Sequence, residues 1–304
     1  MTFATKVKSE ISHNKGLIGR KKQEFSYGMM LCGKTFCPES ITLTTENKYI
    51  AKLYAKLIFQ QIPMQTSVTT REYNGNFQQS TYSVSVDDEE DRRTILNFFP
   101  EEYQKPAAFL ELLLSNEESC RAFLAGAFLS SANISDPQKD YHLEFVLSEK
   151  NTAAFMMQLL HELDLNFKQM IRRGLCVVYS KDSRSIEELL TMVGATKGMM
   201  DIVNVKIYRD VRNKVNRVTN CETSNIEKTV SAATVQSADI RYLMKIGVLQ
   251  GLEIPLRQTA QARLENPDMS LRELGELLGV SRSGINHRLQ KLSQLAKEAR
   301  EERC

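Results

Sequence analysis

The chain has 304 residues, 42% hydrophobic and 25% charged, with a net charge of +3. That length and balance describe one or two globular domains; no apolar run is long enough for a membrane span, and the segment from Met1 to Lys8 has no apolar core of a secretory signal. A charge so close to neutral does not by itself declare a nucleic-acid partner.

Six scattered cysteines (Cys32, Cys37, Cys120, Cys176, Cys221, Cys304) without a C-x-x-C pair read as reduced cytosolic thiols. The four histidines stand apart from them and from one another, so no metal and no cofactor is expected. Neither glycine-rich phosphate-binding motif is present.

Hydrophobic periodicity predicts a helix from about Arg20 to Phe36, a strand Ser40–Thr45 and a helix from Glu46 to about Gln61, closed by Pro63. Two strands follow, about Thr66–Tyr73 and Phe77–Val86, with a hairpin turn at Asn74-Gly75-Asn76, and then a helix near Asp88–Phe99. The second half repeats the order: helix Glu117–Ala132, strand Tyr141–Ser148, helix Lys150–Leu163, strands Phe167–Arg172 and Leu175–Ser180 around Arg173-Gly174, helix Ser185–Val193. Phe25, Gly28, Leu31 and Phe36 fall over Phe123, Gly126, Leu129 and Ile134 at a constant offset of 98 (123 − 25). A tandem αββα-type duplication follows. Small residues in each first helix, Gly28, Cys32 and Gly33 against Ala125, Gly126, Ala127, Ser130 and Ser131, would let the two helices meet closely at a pseudo-two-fold seam, with the sheets flanking it as one saddle.

The stretch Leu124-Ala125-Gly126-Ala127-Phe128-Leu129-Ser130-Ser131-Ala132 resembles a degraded LAGLIDADG helix of the homing endonucleases. That resemblance implies paired helices whose terminal acids hold a divalent cation for DNA cleavage. The corresponding positions here are Gly33 and Ser131, neither of which supplies a carboxylate. Asp136, the nearest acid beyond Ser131, reads with Pro137 as a turn. The expectation is a saddle without nuclease activity.

At the C-terminus the residues predict a helix-turn-helix. Ser270 and Glu273 form a capping box, Leu271, Leu274, Leu277 and Leu278 an apolar stripe, Gly275 a small residue at the crossing, and Gly279 the turn. Ser281 caps a second helix running to about Lys297, with Ile285, Leu289, Leu292 and Leu295 inward; between Ser281 and Lys297 there are four Lys or Arg and no acid. Ser281, Arg282, Ser283, Asn286 and His287 are candidate base contacts, and Arg288 and Lys291 candidate phosphate contacts. Asp239–Leu249 and Leu256–Leu264 read as supporting helices, in an arrangement resembling a sigma-factor promoter-reading module. Between the domains, Met200–Val215 reads as a helix with an ordered linker. The basic run of residues 1–22 (Lys6, Lys8, Lys15, Arg20, Lys21, Lys22 against Glu10) reads as a solvated face.

The saddle and this C-terminus together, with Asn216-Arg217-Val218-Thr219-Asn220-Cys221-Glu222 and its continuation to Thr229, make the chain similar to the bacterial WhiA family. The expected fold class is α+β: a LAGLIDADG-like domain over 1–196 (repeats about 20–100 and 117–195), a linker over 197–229, and an all-α helix-turn-helix domain over 230–304. The resemblance implies a cytoplasmic, nucleoid-associated regulator that binds double-stranded DNA, engages other regulatory or division proteins, touches no membrane, and serves cell division, chromosome segregation and, in sporulating bacteria, sporulation. The alternatives are a protein-docking factor with incidental DNA binding and a residual Mg-dependent endonuclease.

Overall fold

The computed structural model describes residues 2–14, 16, 21–61, 68–74 and 80–302. The chain divides into two compact units, Met1–Tyr208 and Arg209–Cys304.

In the first unit, α1 (Phe3–His13) precedes two copies of one motif. The first copy runs α2 (Lys22–Leu31), β1 (Thr35–Cys37), β2 (Ser40–Thr45), α3 (Lys48–Gln61), β3 (Val68–Asn74), β4 (Ser80–Val86) and α4 (Glu89–Phe98). Two connecting helices, α5 (Glu101–Gln104) and α6 (Pro106–Ser115), lead to the second: α7 (Glu117–Ser131), β5 (Ala132–Ile134), β6 (Leu143–Leu147), α8 (Lys150–Glu162), β7 (Lys168–Arg172), β8 (Leu175–Ser180) and α9 (Ser183–Met192). Both sheets are antiparallel with the same order, β1-β2-β4-β3 and β5-β6-β8-β7. Arg173 and Gly174 both have positive φ, 52° and 80°, as a two-residue hairpin turn requires. Pro63 and the Gly75-Asn76 part of the first hairpin turn lie outside the described residues.

The two copies meet through α2 and α7. A Cβ at Gly28 would collide with the carbonyl oxygen of Phe123, and a Cβ at Gly126 with that of Phe25. These two contacts exchange under the offset of 98 that aligns the copies (28 + 98 = 126, 25 + 98 = 123), so the seam carries a pseudo-two-fold. Backbone touches backbone there because neither position has a side chain to hold the helices apart. Around it lies the core, in which Tyr27, Phe109 and Phe123 form edge-on and tilted ring contacts at 5.1–6.5 Å. The carboxylate of Glu24 on α2 accepts from the Ser119 hydroxyl of α7 at 2.9 Å.

Three expectations change. The first helix ends at Leu31, not near Phe36, because Thr35–Cys37 leaves it to pair with Ser40–Thr42 as β1. The N-terminal basic run is not simply a solvated face: Thr2 caps α1 by accepting from the Thr5 N–H, and Val7 and Ile11 are fully buried. Lys15 and Arg20 of that run lie outside the described residues. Pro106–Ser115 is a helix that the paired reading passed over, its Phe109, Leu110 and Leu113 buried against the seam.

The linker region is a single helix, α10 (Thr196–Lys245), and the unit boundary falls within it. The expected helix Met200–Val215 and the whole of 197–229 lie inside it. The expected supporting helix Asp239–Leu249 is its last turns, which stop where Gly247 takes a φ of 79°. In the second unit α11 (Ile254–Glu265), α12 (Leu271–Leu278) and α13 (Arg282–Glu301) pack with this end of α10 around Ile240, Leu243, Leu256, Ala260, Leu274, Ile285, Leu289, Leu292 and Ala296.

Candidate nucleic-acid interface

The turn between α12 and α13 is built by short-range chemistry. The Ser270 hydroxyl accepts from the Glu273 N–H at 3.3 Å and the Glu273 carboxylate accepts from the Ser270 N–H at 2.7 Å, completing the capping box. The Ser270 N–H first, then its hydroxyl, hold the Glu273 carboxyl below the usual carboxylate range. Gly279 closes α12 with φ 64°, and the Val280 N–H reaches back to the Gly275 carbonyl at 2.8 Å. A Cβ on Gly275 would stand 2.5 Å from the Val280 carbonyl oxygen. The glycine is therefore required by the backbone of the turn itself, rather than by the crossing of the second helix. Ser281 caps α13, its Oγ accepting from the Gly284 N–H at 3.2 Å.

Ile285, Leu289, Leu292 and Ala296 turn α13's inner face into the core, with Leu295 only half-buried. Leu277, expected on the α12 stripe, is 56% exposed, because it lies about 60° of helical rotation from Leu274 on the side away from Leu271, Gly275 and Leu278. Of the candidate contacts, Ser281, Arg282, Ser283, His287 and Lys291 are exposed, while Asn286 and Arg288 are half-buried. Ser281 is occupied by capping, and its hydroxyl lies 3.0 Å from that of Ser283. Arg288 turns toward α11, its Nη1 at 3.5 Å from the Thr259 hydroxyl. Ser283, His287 and Gln290 form the outward ridge by their spacing, and Arg282 stands at the helix start. No acid interrupts α13 before Glu298. Such a surface carries the side-chain types that hydrogen-bond base edges and phosphates.

One supporting residue escaped the sequence reading. Arg263 on α11 is 1% exposed. Its guanidinium donates to the Met269 carbonyl at 2.6 Å, binding the loop that leads into α12. Its Nε has no hydrogen-bond partner among the described residues, and burial lowers its pKa from the ordinary arginine value. Nothing around it in sequence marks it as different from an exposed helical arginine. Arg263→Ala should destabilise the second unit by ~2–4 kcal/mol, since it opens a cavity in the core and leaves the part-buried Met269 carbonyl without its donor. Urea unfolding followed by amide hydrogen exchange within α11–α13 checks this, and an unchanged midpoint would contradict it.

The structure places Ser131 and Gly33 at the ends of the seam helices. The Ser131 hydroxyl donates to the Ala127 carbonyl at 2.8 Å. At Gly33 a Cβ would be 3.1 Å from the carbonyl oxygens of both Met30 and Thr42. Gly33 borders a nearly closed space of about 20 Å³, whereas Ser131 borders an open cleft of about 980 Å³. Asp136 forms the expected turn, its Oδ1 accepting from the Gln138 N–H at 2.9 Å. On the second sheet, Glu144 receives both Arg172 Nη1 and Nη2 at 3.0 and 2.8 Å and lies 3.1 Å from His142 Nε2. Among the described residues no group of three or more His, Cys, Asp or Glu side chains is gathered as a cation would need, and no helix is long and apolar enough to cross a membrane.

A duplicated LAGLIDADG-like unit followed by a helical unit with a helix-turn-helix defines the class of this chain. Two family models match, the WhiA LAGLIDADG-like domain over residues 120–212 and the WhiA C-terminal HTH domain over 215–296. Among curated relatives, a probable cell division protein WhiA of Clostridium botulinum is 32% identical over 99% of both chains. Another of the same name from Thermoanaerobacter sp. is 34% identical over 87% of this chain and 86% of that one. The crystal structure of full-length WhiA from Thermotoga maritima shares the fold with a TM-score of 0.58 at 21% identity, covering 98% and 99% of the two chains. The chain belongs to the WhiA family.

Proposed function

We propose that this protein is a sequence-specific DNA-binding regulator that reads double-stranded DNA with α13 and serves cell division, the process named for its relatives. The observation that carries the reading is the exposed, acid-free start of α13, held by a capped and glycine-tight turn. Arg282, Ser283, Asn286 and His287 face base edges in this reading, and Arg288 and Lys291 the backbone. The same activity extends to transcription control, chromosome segregation and, in sporulating bacteria, sporulation, exercised in the cytoplasm at the nucleoid. Strand cleavage is not part of it, because Gly33 and Ser131 bring no carboxylate to the helix ends where a divalent cation would need hard oxygen ligands.

Selection from a random duplex pool tests the reading. The full chain should enrich a defined motif, and that enrichment should disappear with Arg282→Ala/Asn286→Ala; recovery of unenriched sequence would refute specificity.

The first sheet favours a second role for the saddle. Its face away from the core presents Thr35, Thr42, Thr44, Thr69, Arg71, Ser83 and Ser85 in register, and hydroxyls of Thr69 and Ser85 donate to Asp87 at 2.5 and 2.9 Å. A face of hydroxyls whose described strand residues include one Lys or Arg, Arg71, suits a protein partner better than the many phosphates along a duplex. Division assays on chains lacking 230–304 or 1–195 separate the roles. Docking through the saddle requires the second deletion to be the more damaging.

A further inference from the structure

The cleft at the end of α7 has no part in the reading of α13. It lies within the first unit, and Lys8, Thr44, Glu46, Lys48, Thr81 and Asn133 are among its walls. Its volume of about 980 Å³ is at the upper end of the range of roughly 300–1,000 Å³ found for small-molecule sites.

Lys8 sets the chemistry of this cleft. Its side chain is mostly withdrawn from water, and Nζ donates to the Leu129 carbonyl in the last turn of α7 at 3.2 Å. That uses one of the three donors of an ammonium. Among the described residues no carboxylate forms an ion pair with it; Glu46 acts on it only through space. The other amine on the cleft is already engaged, since Lys48 pairs with Glu72 at 3.9 Å and lies 5.8 Å from the centre of the Tyr82 ring. Charges withdrawn from water are ordinarily paired. Burial lowers the Lys8 pKa to about 8, with Glu46 opposing the shift.

The neutral groups complete the picture. Ser130 and Ser131 donate into their own helix, so they are not donors to a ligand. Thr44 and Thr81 have hydroxyls to offer. Asn133 accepts from the Ile134 N–H through Oδ1 at 3.1 Å, which leaves its amide nitrogen as the donating end. At the pseudo-symmetric position, the space bordered by Gly33 among the described residues measures about 20 Å³. Duplication therefore does not account for it: α1 lies ahead of the first copy and brings Lys8 to the end of α7.

We infer that this cleft is an anion site taking the phosphate group of a nucleotide-sized ligand, with Lys8 as the counter-charge and Thr44, Thr81 and Asn133 as neutral donors. A phosphate presents several acceptor oxygens at once, matching one ammonium surrounded by hydroxyl and amide donors. The phosphate comes from a free nucleotide or from a nucleic-acid backbone.

Calorimetric titration of the full chain with inorganic phosphate, ATP and a random-sequence duplex distinguishes these sources. Phosphate or ATP should bind, at least tenfold more weakly to Lys8→Met and nearly normally to Lys8→Arg. Affinity should fall from pH 7 to pH 9 as Lys8 loses its proton. The charged and titratable groups facing Lys8 are Glu46 from the β2–α3 connection, Lys48 from the start of α3, and Tyr82, with its partner Glu72, from the first sheet. Glu46→Gln should move that fall to lower pH, because the Glu46 charge supports the ammonium, and Lys48→Met should leave the fall in place. A Lys8→Met effect confined to the duplex assigns the phosphate to nucleic acid and sustains the site. Equal binding of all three probes to wild type and Lys8→Met overturns it, as does equal loss in Lys8→Met and Lys8→Arg.

Discussion

Gly126→Ala should unfold the first unit well below the wild-type temperature. The added Cβ meets the carbonyl oxygen of Phe25 and comes within 2.8 Å of the Met29 N–H nitrogen. Overpacking that side-chain rotation can relieve costs ~1–3 kcal/mol, but both obstacles here are main-chain atoms of α2. The helices must separate, and separation exposes the seam on both sides because Gly28 makes the reciprocal approach to Phe123. A loss of at least ~3 kcal/mol follows, lowering Tm by about 6–12 °C for a unit of this size. Gly251→Ala is the control, since among the described residues nothing lies within 4 Å of its added Cβ. Differential scanning calorimetry decides: a shift of Gly126→Ala no larger than the control's contradicts a backbone-to-backbone seam.

Arg282→Ala/Asn286→Ala should cost specific DNA affinity far more than it costs stability. A good bidentate contact to the correct base discriminates by ~1–3 kcal/mol, so two such contacts together amount to a loss of at least about thirtyfold. Arg282 is exposed, Asn286 is half-buried, and neither is in the helix's buried set, so thermal stability should stay within ~0.5 kcal/mol. Lys291→Ala is the contrasting variant. Its contact to phosphate would weaken all duplexes alike and reduce the salt slope by about one. Fluorescence anisotropy on selected and scrambled duplexes, at several salt concentrations, separates the two. Equal losses on both duplexes for the double variant would remove Arg282 and Asn286 from the base-reading set.

The parts of the fold that were legible in the sequence are those governed by near neighbours. Ser270, Glu273 and Gly279 announce a helix start and stop because a cap is completed within four residues. Arg173-Gly174 similarly marks the hairpin between β7 and β8, and the offset of 98 between Phe25 and Phe123 exposes the duplication. Less legible was α1, where Val7 and Ile11 are a thin apolar stripe among lysines. The continuous α10 was also hidden, since its Val, Thr and Asn content through residues 213–225 has low helix propensity.

Family, duplication, the glycine pair at the seam and the positions lacking acids were all determined by the sequence alone. The tertiary structure decided what individual charges do. The +3 total places no charge anywhere. Lys8 and Arg263 look like ordinary surface residues until distant segments fold over them, Lys8 at the end of α7 and Arg263 beneath the loop before α12. Periodicity and capping are properties of adjacent residues, whereas the cost of a charge depends on the water removed from it and the partner brought to it. Segments far apart in the chain set both, and folding alone brings them together.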